Sequence, residues 1–232
     1  MKSVLITAIC FIVFTIIGTV THELGHYYAG KLIGLNCKIH YASCQCLSNA
    51  EKERFKYRKE LSEKYGTKDS IPPDMWNKYQ DLIKSSPRVN RLLVTIGGPL
   101  QTITTGLFGF AFLIWRQKIK NPKFENLDWL LVFLSLFWLR QPFNLFASIS
   151  KKILIGSESF FRGDELKISR GLNLWDGTVS IITGLLGLWI CLVVLFKLIP
   201  KTKRNNFIVG GMIGGVLGHI FWMKILGPIV LP

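Results

Sequence analysis

Residues 4–20, VLITAICFIVFTIIGTV, carry no charge, and the chain runs on without a break into THELGH at 21–26. A run of this length approaches the roughly 20 apolar residues that cross a hydrocarbon core. The same pattern recurs downstream. Leu92–Trp115 and Thr178–Phe196 are uncharged, Trp129–Ser150 is interrupted only by Arg140, and Phe207–Met223 is uncharged but short. The last two must tilt or sit deep in a bundle. Five spans are therefore expected, which makes the chain an all-α integral membrane protein. Thr21–His26 offers no small-residue cleavage site after the first run, so that segment is expected to stay in the protein. The reading is of one membrane-embedded domain over 1–232, with a polar extramembrane insert at about 47–91.

The chain has 232 residues and a formal net charge of +15. Its basic residues sit between and beside the apolar runs, where lipid headgroups and the positive-inside rule explain them. That argues against a nucleic-acid partner and for the lipid bilayer. Lys and Arg are denser in the short loops on one face but more numerous in the long loops on the other, so both orientations stay open. Five cysteines, with Cys10 and Cys191 inside spans, do not form the regular set of a disulfide scaffold.

Within the insert, Met75, Trp76, Tyr79, Leu82 and Ile83 fall on one helical face after Pro72-Pro73 and predict an interfacial helix. Glu51–Tyr65 mixes signs, offers Glu60 and Lys64 as an i, i+4 pair, and predicts a solvated helix. Near the end of the chain, Gly210, Gly214 and Gly218 share a face, as suits close helix packing in lipid, with His219 beside them as a packing residue.

His22-Glu23-Leu24-Gly25-His26 is an H-E-x-x-H motif continuing from an apolar helix. Residues four apart share a helix face, so both imidazoles can reach one Zn²⁺. Glu23 is placed to accept a proton from a water held there. Such residues are costly to bury at a membrane helix without a metal or a water-filled cavity. A catalytic zinc needs a third protein ligand and one open position, so two histidines do not suffice. With four histidines in all, the chain lacks the number that membrane di-iron hydroxylases and desaturases need.

His22–Tyr27, followed by Ala29-Gly30-Lys31-Leu32-Ile33-Gly34, resembles the first core helix of the site-2 protease family of intramembrane metalloproteases. Gly97-Gly98-Pro99-Leu100 resembles its second signature, with Thr102 where the family has Asn. The third, an Asn-Leu-x-Pro stretch followed by an Asp-Gly, is matched loosely: Asn144-Leu145-Phe146 is followed by Ala147, and Gly163-Asp164-Glu165 comes later. The resemblance implies that His22, His26 and Asp164 hold Zn²⁺ and that Glu23 is catalytic. Asp176, in Leu174-Trp175-Asp176-Gly177, competes with Asp164 for the third position, and either is otherwise a helix N-cap. Glu165 would be the ligand in another class of zinc protease. Asn144 holds substrate backbone by the resemblance, or is a packing amide.

The resemblance further implies a membrane-associated β-hairpin near Cys37, His40, Cys44 and Cys46, expected with free thiols, although such residues can also bind structural zinc. The expected function is hydrolysis of a peptide bond in or near a transmembrane segment of another membrane protein, in the plasma membrane. The alternative is a degenerate member acting as a scaffold or substrate-binding protein.

Overall fold

The computed structural model describes residues 2–67, 70–85, 90–119, 124–156 and 160–232. Helix α1 (Lys2–Leu32) leads into strands β1 (Asn36–His40) and β2 (Ser43–Leu47), and α2 (Asn49–Tyr65) and α3 (Pro73–Ser85) follow. Then come α4 (Leu92–Ile119), α5 (Asn126–Ser135), a 3-10 turn (Leu136–Leu139), α6 (Arg140–Ile155) and α7 (Gly163–Gly171). Helix α8 (Thr178–Val193) ends in a π turn to Leu198, and α9 (Lys201–Phe221) passes through another (Trp222–Leu226) into α10 (Gly227–Val230).

Five stretches are long and apolar enough to cross a membrane: Lys2–Leu32, Leu92–Ile119, Asn126–Leu154, Thr178–Leu198 and Lys201–Val230. The third and fifth, interrupted or short as sequence runs, gain length by continuing through the 3-10 and π turns. Large apolar side chains on these helices face outward, Met212 at 70% exposure and Leu185 at 58%. A water-soluble protein of this size would hide such surface, whereas lipid accepts it. The chain is a membrane protein.

Between lipid-facing surfaces, helices associate by close packing. Gly210, Gly214 and Gly218 lay α9 on α1, where a Cβ on Gly214 would strike the Ala8 carbonyl and one on Gly218 would come within 2.9 Å of Ile12 Cα. His219 points away from that contact and is exposed, so it is not the packing residue expected. Phe14 stacks on Phe133 at 4.7 Å, and buried Trp138, Ile190 and Val194 extend the same core between α5 and α8. Arg116 at the end of α4 is neutralised by Asp128 at 2.8 Å and Glu125 at 2.9 Å.

The hairpin pairs Asn36 with Leu47 through His40 with Ser43. Contrary to the expected free thiols, Cys37 and Cys46 form a disulfide. They are partners across the strands, 4.0 Å apart at Cα, so their side chains leave the same face toward each other. This engages two of the three sulfurs that lie close enough to hold a metal, Cys37, Cys44 and Cys46. Burial, with the charge of Glu23 adding, pushes the remaining Cys44 thiol up to about 11. At the hairpin tip, Tyr41 N–H donates to Leu231 O at 2.9 Å and Trp222 Nε1 donates to Tyr41 O at 2.8 Å.

In the polar insert, Tyr57 and Tyr65 of α2 reach Met75 of α3, and the exposed pair on α2 is Lys59–Glu63 at 3.6 Å, not Glu60–Lys64. Ser48 and Glu51 cap α2 reciprocally, and Arg91, just ahead of α4, meets Glu51 at 2.6 Å. Burial would raise the Glu51 carboxyl, but the Ser48 bonds and Arg91 outweigh it and hold it low. The stability so gained is present at neutral pH and fades as pH falls through the carboxylate range. Glu51→Gln is expected to cost about 1–2 kcal/mol, seen as a lower Tm in detergent at pH 7 and a smaller deficit at pH 4. An equal deficit at both would assign the loss to shape instead of charge.

Candidate metal centre

Helix α1 carries His22 and His26 one turn apart, both buried, with Nε2 atoms 3.2 Å from each other. Their orientation is set by α4, which crosses α1 where Gly25 faces Gly97. A Cβ on either glycine would collide with the carbonyl oxygen of the other. That approach lets Val94, Gly98 and Thr102, each four residues apart on α4, face the imidazoles.

His26 Nδ1 donates to Val94 O at 2.6 Å and His22 Nδ1 to Thr102 Oγ1 at 2.9 Å, while the Thr102 hydroxyl donates to Gly98 O at 3.1 Å. With the protons on Nδ1, each ring turns an Nε2 lone pair inward, the tautomer that metal ligation requires. The role of Thr102 went unread in the sequence, where it stands out only as a departure from Asn. Its i, i+4 spacing from Gly98 was the available signal.

Asp164 enters from the first turn of α7, after Gly163 turns the chain at φ +76°. Its Oδ2 lies 3.4 Å from His22 Nε2 and 3.2 Å from His26 Nε2, and its Oδ1 lies 3.3 Å from Lys167 Nζ. Asp176 is elsewhere, exposed and bound through both oxygens by Arg170 at 2.9 and 2.8 Å. Glu165 is buried, accepts from Asn144 Nδ2 at 3.1 Å and is not part of the donor group. Asn144 thus bears on the segment that delivers Asp164. Burial, with the Asp164 charge adding, raises the Glu165 carboxyl against that hydrogen bond.

His22, His26 and Asp164 are a group that could hold a metal ion. Four-coordinate ligands at about 2.05 Å from a metal stand about 3.3 Å from one another, and here the separations are 3.2, 3.2 and 3.4 Å. No family model, curated protein or solved structure matches this chain. The centre rests on its own geometry. Close packing on the rings is a second feature: a Cβ on Gly98 would press on His26 Nε2 and stand 2.6 Å from His22 Nε2. Beside them Glu23 is 6% exposed, and its carboxylate has no hydrogen-bond partner among the described residues.

Proposed function

We propose that this protein is an intramembrane zinc metalloprotease of the plasma membrane, akin to the site-2 protease family, which hydrolyses a peptide bond in or near a transmembrane segment of another membrane protein. The observation that carries the reading is the near-equilateral donor triangle of His22, His26 and Asp164. Two imidazoles and one carboxylate suit zinc, and three protein ligands leave the fourth position that catalytic sites keep open. Zinc there would supply Lewis acidity, activating water and polarising the scissile carbonyl.

Glu23 takes the proton from the attacking water and returns it to the leaving amine. Thr102 and Val94 hold the two rings in register for this. A peptide bond inside a helix is shielded by its own hydrogen bonds, so the substrate must be extended before attack. Among the described residues the hairpin that follows α1 has two strands only, so an outer strand edge is free for pairing with an extended substrate. Against the scaffold alternative, Thr102 hydrogen-bonds His22 although it stands where the family has Asn.

The test is metal content in detergent. One zinc per chain is expected, lost in Asp164→Asn and retained in Asp176→Asn. A chain without zinc, or the reverse order of the two variants, would overturn the assignment.

A further inference from the structure

Arg140 is the one charge inside the run Trp129–Ser150, and it opens α6 where the 3-10 turn ends. An ionised side chain at membrane depth is costly and is kept where it meets a partner or a functional cavity. The Nε of Arg140 is buried with no hydrogen-bond partner, and the guanidinium forms no ion pair among the described residues. Asn144, one turn along α6, bonds Glu165 at 3.1 Å, so Arg140 and Asn144 share the helix face toward the Asp164–Glu165 corner of the centre.

A guanidinium offers five donors in a rigid fork. Buried on the helix face that Asn144 turns toward Glu165, and with its Nε unpartnered, this fork keeps donors for a ligand. During hydrolysis, negative charge grows on the former carbonyl oxygen, and preorganised donors there are among the largest sources of rate enhancement. We infer that Arg140 is a catalytic residue that binds the oxyanion of the scissile peptide group. The inference rests on the zinc-protease reading. Water adds to the carbonyl carbon as Glu23 removes its proton, and the C=O π pair moves onto oxygen, where Arg140 N–H groups bond it. Collapse re-forms the C=O and breaks the C–N bond, and Glu23 gives its proton to the amine.

The test uses the full chain with cobalt(II) in place of zinc, titrated through its visible bands with inorganic phosphate, a tetrahedral oxyanion, and with imidazole, a neutral ligand for the same open position. Arg140→Gln is expected to keep one cobalt per chain and its imidazole affinity, and to weaken phosphate roughly tenfold or more. Arg140→Lys, which keeps the charge but not the fork, should fall between. Phosphate binding that is absent or equal in wild type and Arg140→Gln overturns the inference. So does loss of cobalt from Arg140→Gln, which would make the residue structural, or a lysine variant equal to wild type, which would reduce it to charge balance. A wild-type chain that takes up no cobalt fails at the earlier step, the metal centre itself.

Discussion

Glu23→Gln is expected to leave one zinc per chain and to lower hydrolysis of a membrane-spanning peptide by about 10²–10⁴-fold, the contribution typical of a positioned general base. The amide has the shape of the acid but cannot carry the proton from water to amine. Metal should survive because the donor atoms belong to His22, His26 and Asp164, with the Glu23 carboxylate outside that triangle. The fold should survive too. Glu23 is buried without a hydrogen-bond partner among the described residues, so the change breaks no hydrogen bond among them. Zinc by atomic absorption and cleavage of a fluorogenic membrane peptide are the two readings. Full cleavage by this variant would sink the hydrolytic role of the site.

The second large effect comes from a residue with no donor atom. Gly98→Ala should empty the metal centre although every ligand remains. Its methyl would enter the space between His22 Nε2 and His26 Nε2. Helix α4 cannot retreat to make room without opening the contact of Gly97 with Gly25 one residue away. Either the rings swing aside or the helices part, and each outcome breaks the triangle. Overpacking of this kind typically costs about 1–3 kcal/mol, so helicity and detergent gel filtration accompany the zinc measurement. Thr104→Ala, on the exposed side of the same helix, is the control and should keep its zinc. Normal zinc in Gly98→Ala would show that the space beside Gly98 is not where metal sits.

Gly98 also marks how far the sequence could be read. Gly97-Gly98-Pro99 reads as a signature beside a membrane helix, yet nothing in that string says that the missing Cβ belongs to two imidazoles more than seventy residues earlier. Thr102 looked like a defect when set against an expected Asn, and it acts as the hydrogen-bond partner of His22. The cysteines misled in a similar way. Cys37 and Cys46 show no regular spacing, but strand register makes them neighbours.

What the sequence determined by itself is local. Uncharged runs specify membrane helices because lipid cannot solvate charge, and the spacing of His22 and His26 puts both rings on one face because an α-helix turns in 3.6 residues. Asp164 and Asp176 could not be separated on those terms, since each follows a loop and precedes a helix. The tertiary structure decided between them by distance: Gly163 turns α7 so that Asp164 meets both imidazoles, while Arg170 holds Asp176 at the surface. A metal centre is a matter of ångströms between segments remote in the chain, and only the packing of α1, α4 and α7 sets them.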